Sequence, residues 1–147
     1  FSPHSNRRQD EWGGSREKRT YFPVEILKKV QSVVNEHGVQ DFIIGYRFSP
    51  EEIEERGIHF EDTMYLLNTL AEYEPDYFHI SVNSYKRTSI VNQEDTEPLI
   101  QKYRRSQSTQ LAKIPLIGVG SIAQREDAVD ALEIGYDLLS IGLFSRA

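Results

Sequence analysis

The chain reads as an α/β protein built from parallel βα units, and three observations lead there. Four short runs rich in β-branched and aromatic residues begin near positions 42, 77, 114 and 138. Between them, apolar residues recur at three- and four-residue spacing, the period of a helix with one buried face. Gly38, Pro75 and Gly135 then punctuate the ends of those helical patterns. Such alternation implies a parallel sheet with right-handed crossovers. A complete (β/α)8 barrel takes at least about 200 residues, so 147 residues with four strands supply half of one.

The first stretch is irregular. Residues 1–22, FSPHSNRRQDEWGGSREKRTYF, mix turn formers (Ser2-Pro3, Asn6, Gly13-Gly14-Ser15), charges and the single tryptophan, with neither period 2 nor period 3.6. They read as a long loop before a helix, where function tends to sit. Composition alone equally allows a polar, disordered N-terminus. Asp10 and Glu11 read as pins for this loop through Arg7, Arg8 or Arg19, with a catalytic carboxylate pair the lesser reading. The helix is expected from Pro23, in its first turn, with Phe22, Ile26, Val30, Val33 and Val34 on the buried face and Gly38 as a left-handed stop.

Residues 42–47, FIIGYR, read as a strand buried on both faces, ended by Ser49-Pro50. An acidic turn at 51–57 precedes a helix at about 60–73, with Phe60, Met64, Leu67, Leu70 and Ala71 inward and Pro75 closing it. Residues 77–82, YFHISV, form the next strand and 83–96 a polar loop. A helix over 98–111 exposes Lys102, Arg104 and Arg105; a strand at 114–119 turns through Gly120-Ser121. A short helix at 127–134 keeps Ala128, Ala131 and Leu132 inward; Gln124 before it is a poor cap, so its first turn is expected to fray. Residues 137–144, DLLSIGLF, are the fourth strand.

Composition narrows the function classes. At 38% hydrophobic and 27% charged residues, the chain reads as soluble and globular rather than disordered. A net charge of -6 argues against a broad nucleic-acid footprint, while a local basic group could still hold one phosphate. No apolar run approaches the roughly 20 residues of a spanning helix, and no signal-peptide pattern opens the chain. Without cysteine there is no disulfide frame, thiolate metal site or thiol nucleophile, which fits a cytoplasmic protein. None of the four histidines pairs with another ligand at metal spacing. Opening on Phe1 and ending soon after a strand, the chain is expected to be a piece of a longer protein.

Two places could carry chemistry. Arg47 ends a buried strand, where barrel enzymes place ligands, and its planar guanidinium suits an anionic edge or a phosphate. Taken alone, the residues favour an ion pair with Glu51 or Glu52. Gly118-Val119-Gly120-Ser121 lies between a strand and a helix, where bare glycines let amides approach a phosphate; a plain tight turn is the ordinary meaning. Gly118-x-Gly120-x-x-Ala123 also satisfies a dinucleotide-binding pattern, but the next strand lacks the ribose-binding acid at its end. That is the weaker reading.

Ser2-Pro3, Asn6, Arg8, Asp10, Trp12-Gly13-Gly14-Ser15, Glu17, Arg19 and Phe22 fall at the spacing S-P-x-x-N-x-R-x-D-x-[YW]-G-G-S-x-E-x-R-x-x-F. This resembles the long loop after the fourth barrel strand of the Old Yellow Enzyme-like, FMN-dependent NAD(P)H oxidoreductases, and later segments resemble that family in the right order. Lys18 and Thr20 depart from it. The resemblance implies that residues 1–22 follow a missing fourth strand and that 23–147 run from helix four to strand eight, the C-terminal half of a TIM barrel. It implies that Arg47, in Tyr46-Arg47-Phe48-Ser49-Pro50, bonds the pyrimidine side of FMN. It places Ser81 near the cofactor, although Val82 and Asn83 replace the usual glycines. It further implies that Gly120, Ser121, Gly142 and Leu143 hold the phosphate, in loops that commonly do so in barrels.

Leu143 stands where the family has a phosphate-binding Arg. Either backbone amides suffice, or Arg146 reaches in, or phosphate binding is weakened. With NADH or NADPH as donor and a small-molecule acceptor such as an activated alkene, the parent would be an ene-reductase-type enzyme. A substrate-binding H-x-x-[NH] pair and a Tyr proton donor would precede this sequence, so the segment alone is expected to be inactive. Its partner would be the missing N-terminal half or a second copy of the chain, with no nucleic acid, membrane or metal. The alternatives are half of another phosphate-binding barrel enzyme, or a non-catalytic scaffold fragment.

Overall fold

A computed structural model of the chain describes residues 1–38 and 41–142. Its elements run α1 (Arg16–Glu36), β1 (Gly45–Phe48), α2 (Phe60–Ala71), β2 (Tyr77–Ile80), α3 (Leu99–Ser106), a 3-10 turn (Leu111–Lys113), β3 (Leu116–Val119), α4 (Arg125–Ile134) and β4 (Leu138–Ser140). The four strands form one sheet in the order β1-β2-β3-β4, every pair parallel. The expected α/β architecture of parallel βα units is therefore present. Because strand order follows chain order, the sheet has no point where the order reverses, the place where dinucleotide folds bind.

Aspartates fix the register at the N-terminal edge of the sheet. Asp76, just before β2, accepts the amide of Ile44 on its carboxylate at 2.6 Å and donates its own amide to the Ile44 carbonyl at 2.8 Å. Asp137, just before β4, does the same to Leu116 of β3, at 2.7 and 3.1 Å. Arg104 of α3 then bonds the Asp137 carboxylate at 2.7 Å and the Gly135 carbonyl through Nε at 2.7 Å. Arg104 is thus half-buried and structural, not the exposed cation its helical spacing suggests.

One sheet face carries Phe48, Phe78, Ile80 and Leu116, all buried against the helices with Leu67, Leu70, Ile100 and Tyr103. The opposite face carries Arg47, Tyr77, His79, Ile117, Val119 and Ser140, which are exposed or half-buried. The expectation that the first strand is buried on both faces is corrected accordingly: helices cover only one side. Phe42 and Ile43 lie before the strand and are 54% and 69% exposed.

The first helix departs most from its sequence reading. It starts at Arg16 because Ser15 caps it, accepting the Lys18 amide on its hydroxyl at 3.3 Å, with Glu17 in the first turn. Pro23 therefore sits inside the helix rather than in its first turn. The buried stripe is Arg19, Thr20, Pro23, Val24 and Leu27, packed toward α2, whereas Phe22, Ile26, Val30 and Val33 are exposed. Both stripes are largely apolar, so periodicity could not choose between them. Arg19 belongs inside because its guanidinium donates to the carbonyls of Phe1 at 2.9 Å and Gly14 at 2.7 Å, which satisfies the charge as its stem is buried. Asp10 pairs with Arg8, not Arg19.

The last helix begins at Arg125 and does not need Gln124 as a cap. The Asp127 carboxylate reaches back to accept the amides of Ala123 and Gln124, each at 3.0 Å. Gly38 adopts the left-handed conformation expected of it, with φ of 62°.

Asp137→Ala should destabilise the intact protein by about 1–3 kcal/mol, because the Leu116 amide and the Arg104 guanidinium both lose an acceptor. Urea denaturation followed by far-UV circular dichroism would measure it.

Candidate functional site

Parallel pairing brings all four strand C-termini to one rim. In register, Arg47 of β1 lies opposite His79 of β2, and His79 opposite Ile117 of β3. Ser81 follows β2 directly, its amide donating to the Phe48 carbonyl at 2.7 Å. Gly120 and Ser121 follow β3, and Gly142 follows β4. Those last three line a single cleft of about 230 Å³ between the two loops, together with Ile122, Ser140 and Ile141. Arg47 and Ser81 do not line it. Leu143 and Arg146 lie outside the described residues.

β1 and β4 are three strand spacings apart, roughly 14 Å at about 4.8 Å each. The cleft lies between the loops after β3 and β4, so its near wall is two spacings from β1, roughly 10 Å. An elongated ligand lying along the rim could reach Arg47 at one end and the cleft at the other.

The expected ion pair for Arg47 does not form. Glu51 is buried and accepts the Ser89 hydroxyl and the Ile90 amide, both at 2.8 Å. Glu52 accepts the Ser2 hydroxyl and the Ile58 amide. Among the described residues no acidic side chain pairs with Arg47, which leaves an unneutralised guanidinium on the open face of the sheet.

His79 shares that face. Its Nε2 is buried and, among the described residues, has no hydrogen-bond partner. Desolvation, and then the neighbouring Arg47 charge, hold its imidazole below the ordinary histidine range. A histidine alternating along a strand is ordinarily a satisfied core or interface residue, which the unpartnered Nε2 is not. The signal that it shares a face with Ser81 was present in their alternation, but its proximity to Arg47 depends on strand register.

The two glycines of the cleft differ in origin. Gly120 has φ of 102°, and a Cβ there would sit 2.6 Å from the backbone of Asn83 and Ser84, so packing against the loop after β2 demands glycine. A Cβ on Gly142 would meet nothing within 4 Å among the described residues. Its bare backbone leaves one cleft wall open among those residues. Ser121 also adopts a left-handed conformation, with φ of 53°, and its hydroxyl donates to the Asn83 carbonyl at 2.9 Å. That hydroxyl is engaged by the protein, so Ser121 offers the cleft its backbone. The Asp127 carboxylate likewise occupies the amides of 123 and 124.

Further contacts hold this rim, none of them visible in the sequence. The Tyr85 amide donates to the Gly120 carbonyl at 3.0 Å, and the Tyr136 hydroxyl donates to the Tyr85 carbonyl at 3.1 Å. Burial pushes the Tyr136 hydroxyl up to about 12, so it remains a donor at neutral pH. The Tyr136 ring covers Gly118, where a Cβ would meet it at 2.5 Å. The Tyr85 hydroxyl donates to Asp130 at 2.8 Å, and Lys86 pairs with the same carboxylate at 2.5 Å.

The NADH:flavin oxidoreductase / NADH oxidase family profile matches residues 1–143. NADH:acrylate oxidoreductase of Vibrio harveyi is 61% identical over 142 residues, covering 97% of this chain and 14% of that protein. NADH:fumarate oxidoreductase of Klebsiella pneumoniae is 49% identical, covering 97% of this chain and 15% of that protein. A probable NADH-dependent flavin oxidoreductase of Bacillus subtilis is 39% identical over 145 residues, covering 37% of its length. The chain thus spans about one-seventh of the first two relatives and under two-fifths of the third. Among solved structures, morphinone reductase matches with a TM-score of 0.59 at 22% identity, over 92% of this chain and 34% of that one; the likeness is one of fold.

His79 binds its proton less readily in the folded state than in the unfolded one. The stability this confers is therefore complete above about pH 6.5, the ordinary histidine value, and lost as pH falls below it. His79→Gln should flatten that acid-side slope, as read from denaturation midpoints of the intact protein across pH 5 to 8.

Proposed function

The chain belongs to the NADH:flavin oxidoreductase / NADH oxidase family, and from that premise we propose that it forms the C-terminal half, strands five to eight, of an FMN-binding (β/α)8 barrel. The parent would be an NADH-dependent oxidoreductase of the ene-reductase type. The observation that carries this is the rim: a lone guanidinium at one end, a glycine-lined cleft at the other, and a span between them suited to one elongated anionic ligand.

The residues present fit such a group. Arg47 would hold the negative pyrimidine edge, where a permanent charge stabilises added electron density. Backbone amides at Gly120, Ser121 and Gly142 would hold the phosphate, a Cβ at 142 meeting nothing within 4 Å among the described residues. Ser81 follows the strand next to Arg47, between the two ends. Bound FMN would supply the redox chemistry, accepting hydride from NADH and passing electrons to the acceptor. The protein's part is to bind, orient and polarise.

The partner we propose is the N-terminal half of the same barrel. The outer edge of β1 carries no neighbouring strand among the described residues. Beside it in the chain lie the exposed apolar residues Phe22, Ile26, Val30 and Val33 of α1, with Phe42 and Ile43. Further βα units would cover both. Expressed alone, residues 1–147 should elute from size exclusion as dimers or larger species at low micromolar concentration; a clean monomer would count against the half-barrel.

A second reading concerns where the acceptor reacts. The relatives whose names specify acrylate and fumarate are about seven times longer than this chain, so acceptor reduction could occupy another part of the parent, leaving NADH oxidation to this barrel.

Titrating the intact protein with FMN should give a bound yellow species, and Arg47→Ala should weaken it about 10- to 100-fold, the scale of a lost charge-assisted bond. Absence of any bound flavin sinks the assignment. If NADH bleaches the bound flavin in a barrel-only variant that cannot then reduce an alkene, the second reading holds.

A further inference from the structure

We propose that Tyr85 and Asp130 are positioning residues that shape the phosphate-gripping turn at Gly120-Ser121 before any ligand arrives. This rests on the phosphate reading of that cleft and extends it to residues that do not line the cleft.

The turn places two consecutive residues at positive φ, 102° for Gly120 and 53° for Ser121. The second is an uncommon conformation for serine and persists only where surroundings impose it. Here the imposing element is the loop after the neighbouring strand. Asn83 accepts the Ser121 hydroxyl at 2.9 Å, the Tyr85 amide donates to the Gly120 carbonyl at 3.0 Å, and the two backbones approach so closely that a Cβ at 120 has no room. The turn is thus shaped from outside its own βα unit.

That loop is itself anchored. Tyr85 is only 6% exposed, and its hydroxyl donates to Asp130 on α4 at 2.8 Å, while its carbonyl accepts from Tyr136 at the end of the same unit. Since α4 starts four residues beyond Ser121, the contacts close a circuit: turn to loop, loop to helix, helix back to turn. Lys86 pairs with Asp130 as well, which assigns the ammonium to the circuit rather than to the cleft. A turn held this way has little freedom left to lose when it binds an anion, so the affinity gained from its amides is not offset by ordering them.

Tyr85→Phe and Asp130→Ala each remove one link while sparing the core. In the intact protein, equilibrium affinities for FMN and for riboflavin separate the phosphate grip from everything else. Each variant should bind FMN three- to tenfold more weakly and riboflavin within twofold of wild type. Equal losses for both flavins mean a general structural role and overturn the proposal, as do unchanged affinities for both. If wild type itself binds FMN no better than riboflavin, the phosphate reading fails, and this inference falls with it.

Discussion

Two aspartates, each one residue ahead of a strand, set the alignment on which the rest of the molecule depends. Asp76 and Asp137 grip both the amide and the carbonyl of a residue at the start of the preceding strand, fixing β2 on β1 and β4 on β3. Side chains alternate between faces with a period of two, so a one-residue slip would exchange the two sets. Arg47 would enter the apolar layer beneath the helices, and Phe48 would emerge on the open face. Alignment at one edge of the sheet thereby keeps Arg47 and His79 on its open face.

Much of this could be read from residue order. The strand runs, the helical periods in α2 and the left-handed stop at Gly38 are local signals, and each strand begins within its run, although β1 begins three residues into the first. The parallel sheet follows from their alternation. Where the reading failed, a long-range contact decided the outcome. The buried side of α1 was settled by Arg19, whose partners are backbone carbonyls 18 and 5 residues away. The start of α4 was settled by a carboxylate three residues into the helix rather than by the residue before it. Arg104 looked like a solvated cation because its acceptors lie 31 and 33 residues downstream.

The functional rim was legible in the same uneven way. Gly120 and Ser121 stood out from their place after a strand and Gly142 from the family resemblance, and the three meet in one cleft. Arg47 was identified too, although its local neighbours Glu51 and Glu52 suggested a mundane pairing that other contacts pre-empt. The structure adds that the Ser121 hydroxyl is engaged by the Asn83 carbonyl and that the Asp127 carboxylate takes the amides of Ala123 and Gln124. Neither Tyr85 nor Asp130 carries any recognisable pattern, since their significance exists only once two βα units are side by side.

The strand order has a kinetic corollary. Among the described residues every strand pairs with its immediate successor in the chain, so within this segment loop-closure entropy stays that of one βα unit at a time. Each completed unit presents an edge onto which the next can zip, with the aspartate clamp forming as that strand docks. A chain organised in this way can acquire order progressively as it leaves the ribosome, lengthening its sheet unit by unit.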